Sequence, residues 1–292
     1  PGFVSYILGP RINASGRMAT ADISLELLLS DKKEVAEELA RSLEVYNRQR
    51  QKIESQILEE AQGIIDREIN FKEHKIVVVA KEGWHEGVLG IVASKLADRL
   101  YRPTILISIN DGPCKGSGRS IKSFHLFQAL LECREFLSSF GGHAHAVGLT
   151  IARDNIAEFK NKINHFAKNK LRLEDLLPAL DIDAEVKFAD LSREVIEELG
   201  ALEPFGTANP GPLFYTRRLK LKGQPQGLGR ETLKFWASDG LATYPAIGFG
   251  MSYFMESLIS AEYFDLVYCP KIDSWQGDGS IILEVKDIFL GR

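Results

Sequence analysis

Between Asp31 and Ile69 the chain runs without a proline, and Leu39, Leu43, Tyr46, Ile53, Ile57 and Ile64 recur at helical spacing. Asp31 stands three residues before Glu34, a capping-box pattern that predicts where the helix starts. At 1.5 Å per residue such a helix is a rod of roughly 50–55 Å. A helix of this length with one apolar stripe is expected to join two bodies. The alternative, a long helix of a bundle, needs neighbouring helices that this chain scarcely supplies.

The segments on either side differ in texture. Ahead of the rod, Gly9 to Arg17 reads as a glycine-bounded loop and Ile23 to Leu29 as a short apolar helix. Behind it, strands are expected at 75–80, 104–109, 116–121 (an edge) and 147–151, with helices at 88–100, 124–137 and 156–171. That alternation predicts an α/β domain with a mixed sheet. Beyond residue 182 the pattern becomes short strands between glycine-rich turns, at 213–221, 232–237, 243–249, 264–270 and 281–288, with one helix at 192–199. Five strands in so short a stretch predict an all-β barrel of OB type. The expected divisions are 1–30, the rod 31–70, the α/β domain 71–172 and the barrel 173–292.

Composition narrows the function classes. With 292 residues, 45% hydrophobic and 26% charged, the chain has ample core material, and no apolar run approaches the ~18 residues of a membrane helix. Three scattered cysteines make neither a disulfide framework nor a zinc site, and a reducing cytoplasm is the expected home. The first residue is Pro1 and the opening reads like mid-domain sequence, so further residues are expected upstream. From residue 171 onward there are 12 Lys and Arg against 19 Asp and Glu, a balance of −7, while the first 170 residues balance at +3. A nucleic-acid-binding patch is expected in that first part.

Four clusters carry candidate chemistry. Arg11, Asn13 and Arg17 can fork onto phosphate oxygens, although surface arginines with an Asn in a turn look the same. Residues 82–90 place glycines and His85 before a helix N-terminus, where His85 either caps the helix or faces a cleft. Ser117 and Arg119 alternate on a strand and project to one face as a phosphate clip. Residues 141–148 read Gly-Gly-His-Ala-His-Ala-Val-Gly; Gly141 and Gly142 let the backbone approach a ligand, and His143 ranks as a phosphate contact above a metal ligand. His143 and His145, two apart, are expected on one side of an extended segment, with His145 structural. No Asp-x-Asp or Asp-His-His run able to hold divalent ions appears apart from Asp181 and Asp183 in the bridge to the barrel.

In this order the clusters resemble the C-terminal part of the RecJ single-strand-specific exonucleases of the DHH phosphoesterase superfamily. The matching pieces are Gly9 to Ala14 with Gly16 and Arg17, Glu82 to His85 with Gly90 to Ser94, Gly116 and Ser117 with Arg119 and Ser120, and Gly141 to His143. Residues 202–206 with Asn209 and Pro210 resemble the entry to that family's OB-type domain. The resemblance implies a preceding DHH domain holding Mn2+ or Mg2+, with none held by this chain. It implies single-stranded DNA as substrate, degraded 5′ to 3′ in recombination and repair. His143 would then be catalytic at the scissile phosphate, with Arg11, Asn13, Arg17, His85, Ser117, Arg119, Gly141 and Gly142 binding the backbone. A monomer is expected, with single-strand-binding or other repair proteins as partners. Val147 and Ala208 depart from the usual Ala and Gly, and the acidic barrel weakens the case for a strong electrostatic grip on DNA. The rival readings are a DHH-family phosphodiesterase of oligoribonucleotides or cyclic dinucleotides, and a non-catalytic protein-binding adaptor.

Overall fold

A computed structural model describes residues 2–206, 208–229, 231–273 and 279–291, and the chain divides after Pro178 into two compact units. The first unit opens with α1 (Gly9–Met18) and α2 (Asp22–Leu29), followed by the rod α3 (Lys33–Glu68). The expected loop at 9–17 is thus a helix. A π-helical turn (Val4–Leu8) runs directly into it, Pro10 follows that junction, and Ala14 and Ser15 are buried. Burial overrides the poor helix propensity of Gly9 and Gly16. The Ser15 and Ser24 hydroxyls meet at 2.6 Å, and Ser24 also donates to the Ile12 carbonyl, locking α2 onto α1.

The rod forms as the spacing predicts, but its N-cap is Lys32 without a side-chain cap, so the Asp31–Glu34 capping box does not form. Nor does α3 stand free, since α1 and α2 pack against it and its later turns bury Ile57, Ala61 and Ile65 in the core of the following domain. That core lies on a five-stranded sheet, in the order β1 (Val77–Glu82), β2 (Thr104–Ile109), β3 (Cys114–Arg119), β5 (Ala146–Ile151), β4 (Leu137–Gly142). Only β1 and β2 are parallel, joined by the crossover helix α4 (Glu86–Leu100). Strand β3 is central rather than an edge, because the β4–β5 hairpin adds to it. The helix expected to run from 124 to 137 is only α5 (Leu126–Leu131) and a 3-10 turn. Leu137 to Gly142 is captured as a strand by pairing with β5, with Phe140 packed near Phe127 at 5.8 Å. Helix α6 (Ile156–Lys170) covers the face of α5, where Ile105, Ile107, Leu149 and Phe159 are buried.

The second unit begins with β6 (Ala184–Glu185) and α7 (Arg193–Gly200), capped by the Ser192 hydroxyl. Five strands follow: β7 (Phe214–Leu228), β8 (Thr232–Ser238), β9 (Thr243–Gly248), β10 (Phe264–Ile272) and β11 (Ile281–Leu290). Their order, β7-β8-β9-β11-β10, closes through a β10–β7 pairing, and β9 with β11 is the parallel contact among them. This is a closed OB-like barrel. Its interior holds Leu219, Phe235, Leu266, Tyr268 and Val285. A second helix, α8 (Met255–Ser260), unexpected from the sequence, enters this core through Leu258.

Candidate functional site

The site grows out of the alternation of side chains across the five-stranded sheet. Directly opposed residues share a face. Ser117 opposes Leu106 on one side and Gly148 on the other, and Gly148 opposes Gly141. On β1 and β2 this face is covered by α3 and α4, which bury Val77, Val79 and Leu106. Across β3, β5 and β4 it carries Lys115, Ser117, Arg119, Gly148, Thr150, Ser139 and Gly141, which are exposed or half-buried. An open cleft of about 730 Å³ lies over this floor, walled by Glu86, Gly87 and Leu89 of α4. Ser117, Arg119 and Gly141 are the floor residues expected from the sequence, and Ser139, Gly148 and Thr150 join them. The signal for Gly148 and Thr150 is the alternation of small with apolar residues in Ala146 to Ile151.

Two guanidinium groups lie beside this floor, Arg119 at Ser117 and Arg17 at Gly87. Arg119 is half-buried, and burial lowers its pKa, with the nearby positive charge of Arg17 adding to the effect. Among the described residues neither arginine has an ion pair. Arg119 donates to the Gly118 carbonyl (2.8 Å) and lies 3.4 Å from the Ser117 hydroxyl; Arg17 donates to the Gly87 carbonyl (3.2 Å). Two unneutralised like charges beside a hydroxyl make a site for an anion with several oxygens. Glycines permit the assembly. A Cβ on Gly87 would collide with the Arg17 carbonyl, and one on Gly90 would come within 3.0 Å of both Ser117 and Arg119.

The remaining predicted residues divide. Gly142 (φ +132°) turns the β4–β5 hairpin, and a Cβ there would strike the Ala146 carbonyl; Gly141 faces open space. His143 is exposed on the turn, where its Nδ1 accepts from the His145 N–H at 3.3 Å. The two histidines thus sit in a tight turn, not an extended segment, with ring centroids 6.5 Å apart. His145 is exposed, and its carbonyl accepts from the Ser120 N–H (3.0 Å). His85 is the N-cap of α4, its Nδ1 accepting from the Gly87 N–H at 3.2 Å. Asn13 is exposed one turn before Arg17 on α1. Arg11 is tied to Glu44 at 2.6 Å and to the Ile7 carbonyl, and that guanidinium holds Glu44 below the usual carboxylate range.

A support missed in the sequence is Glu60 of α3. It accepts from the Trp84 indole N–H (2.7 Å), Gln56 (3.0 Å) and Lys81 (3.0 Å), and these bonds lower its pKa to about 2. The Ser108 hydroxyl holds the Trp84 carbonyl, so the turn before α4 is pinned from both sides. Among the described residues no group of three or more His, Cys, Asp or Glu could hold a metal ion, and no helix is long and apolar enough to cross a membrane.

The DHHA1 domain family matches residues 73–169 and the RecJ OB domain family matches residues 182–287. The single-stranded-DNA-specific exonuclease RecJ of Bacillus subtilis is 35% identical over 97% of this chain and 36% of its own length. The Haemophilus influenzae protein of the same name is 30% identical over 98% of this chain and 51% of its own length. The chain thus spans between about a third and a half of these relatives. A Thermus thermophilus RecJ structure in complex with Mn2+ is 25% identical, with a TM-score of 0.81 over 99% of this chain and 42% of that one. A second structure of that protein contains Mg2+ and gives a TM-score of 0.82, with 24% identity over 99% of this chain and 44% of that one. The chain belongs to the RecJ exonuclease family, of which it carries the DHHA1 and OB domains.

Proposed function

We propose that this chain is the DNA-holding half of a metal-dependent exonuclease that degrades single-stranded DNA from the 5′ end during recombination and repair. The observation that carries the reading is the pair of unneutralised guanidinium groups, Arg17 and Arg119, beside the bare floor of Ser117, Gly148 and Gly141. In this proposal the arginines and Ser117 grip phosphate oxygens, and the floor lets the sugar-phosphate backbone lie flat. His143, exposed at the rim, is the catalytic residue, donating to the phosphate as charge develops. Asn13 joins Arg17 along the same helix face. His85 and Arg11 act by holding α4 and α1 in place.

The cleft residues do not fit a divalent ion, so the Mn2+ or Mg2+ of the whole enzyme would be held by residues outside this chain. Divisions at 1–30 (the end of a DHH catalytic domain), 31–70, 71–172 and 173–292, a monomeric state and a cytoplasmic location complete the proposal. On the barrel, Trp236 (46% exposed) stands opposite Lys222 on β7, next to Lys234, and these would stack and neutralise the strand.

The test uses labelled single-stranded DNA with Mn2+. This chain alone should bind it without releasing mononucleotides, and the full-length protein should release them; sustained release by this chain would overturn the division. In the full-length protein His143→Ala should lower turnover while the metals stay bound. The −7 balance of the second part favours a second reading for the barrel, a surface for single-strand-binding or other repair proteins. DNA binding that ignores salt would support it.

A further inference from the structure

The acidic barrel carries one strongly basic strand, and that strand is distorted where its arginines lie. Strand β7 reads Tyr-Thr-Arg-Arg-Leu-Lys-Leu-Lys from Tyr215 to Lys222. Its pairing with β10 slips between Leu219 and Thr216, leaving Arg217 and Arg218 in a bulge. Arg218 has φ +55°, the left-handed region in which a side chain is strained. The bulge is fastened by Asp265: one carboxylate oxygen accepts from the Tyr215 hydroxyl (2.5 Å), the other from the Arg218 backbone N–H (2.8 Å). Each arginine then lies over a tyrosine ring, Arg217 over Tyr215 at 5.3 Å and Arg218 over Tyr263 at 5.1 Å. Phe289, opposite Asp265 on β11, is half exposed beside them.

Strain held in place by a dedicated carboxylate points to use rather than accident. The Arg217 N–H edge already engages Glu185 at 3.0 Å, so what it offers outward is its flat face. Arg218 has no ion pair among the described residues, so its N–H edge is open to an anion. A planar surface beside a free guanidinium fits a base next to its phosphate better than it fits a string of carboxylates.

We infer that the Arg217–Arg218 bulge is a second contact site for single-stranded nucleic acid, on a different strand pair from Trp236. Arg217 presents a stacking plane to a base and Arg218 binds a phosphate. This deepens the reading given above and rests on it, because it presumes that the chain handles single-stranded DNA.

The experiment is fluorescence anisotropy of a labelled thirty-nucleotide oligothymidylate on the whole chain, in a salt series, with melting followed in parallel. Arg218→Gly should weaken binding about tenfold and flatten the salt slope by about 0.7, the share of one phosphate contact. Its melting temperature should equal or exceed that of the unaltered chain, because glycine adopts φ +55° freely. Arg217→Lys keeps the charge and loses the plane; it should weaken binding several-fold at an unchanged slope. Loss of binding in Arg119→Ala with no change in either bulge variant would overturn this site and leave the cleft reading standing. No binding by the unaltered chain at about 50 mM salt would overturn the cleft reading first, and this inference with it. Binding of a poly-glutamate peptide that Arg217→Lys or Arg218→Gly abolishes, with DNA binding intact, would make the bulge a protein-docking surface instead and overturn the inference.

Discussion

One face of one sheet is built in two ways. Over β1 and β2, Val77, Val79 and Leu106 point into a dry core beneath α3 and α4. Over β5 and β4 the equivalent positions are Gly148, Thr150, Ser139 and Gly141, and a cleft lies above them. Strand β3 is the border, and its alternation is inverted. Gly116 and Gly118 face the opposite core, where Leu149, Ile107, Leu126 and Val147 leave no room for a Cβ, while Ser117 and Arg119 face the cleft. The backbone pattern is the same throughout. What differs is side-chain size at every second position, and that decides whether a helix or a ligand can lie on the sheet.

The sharpest way to break this comparison is to empty the covered half. Leu106→Ala should cost about 2–4 kcal/mol, since it opens a cavity in a side that cannot collapse around it. Gly148→Ala, opposite Ser117 on the bare half, should change stability by less than about 0.5 kcal/mol. Urea unfolding of the two variants measures the contrast directly; equal losses would mean that the bare half is also a packed surface.

Next in size is the hinge of the bare half. Gly142→Ala forces a side chain into φ +132° and against the Ala146 carbonyl, which should cost about 1–3 kcal/mol. Amide exchange at His143 and Ala146 should rise with it. Unchanged protection there would show that the hairpin tolerates a different turn.

Much of this was legible in the sequence because it depended on local pattern. The rod, the β1–α4–β2 unit and the five barrel strands follow from apolar spacing alone, and Ser117 with Arg119 on one face follows from the strand period. The errors share one cause, which is contact with distant residues. Gly9 to Met18 is helical because Ala14 and Ser15 are buried, and Leu137 to Gly142 is extended because β5 pairs with it. Arg11 and Arg17 look alike in sequence; Glu44, thirty-three residues from Arg11, holds one and not the other. Glu60 gave no signal, since its value lies in reaching Trp84.

Glu60 gives a prediction of intermediate size that tests how the covered half supports the cleft. Its pKa is lowered from 4.5 to about 2 by bonds from Gln56, Trp84 and Lys81. A carboxylate with a depressed folded-state pKa contributes stability above its unfolded value and loses it as pH falls toward the folded one. Glu60→Gln should therefore cost about 1–2 kcal/mol at neutral pH. Its unfolding curve should approach that of the unaltered chain between pH 4.5 and about 2. A gap that persists at the acid end would mean that packing, not charge, holds Trp84. Trp84 fluorescence at neutral pH should shift in the variant, reporting the release of the turn that leads into α4.

The smallest effect on stability separates the two adjacent glycines of the hairpin. Gly141 has ordinary backbone angles and open space where a Cβ would stand, so Gly141→Ala should leave stability within about 0.5 kcal/mol. The added methyl group would nevertheless project from the floor of the cleft, beside Gly148 and in the same row as Ser117. If that floor is a contact surface, affinity for single-stranded DNA should fall several-fold while the urea midpoint stays fixed. A parallel loss of both would make Gly141 a second hinge like Gly142. Retention of both would show that no ligand comes down to the floor, and that the bare half owes its small side chains to something other than binding.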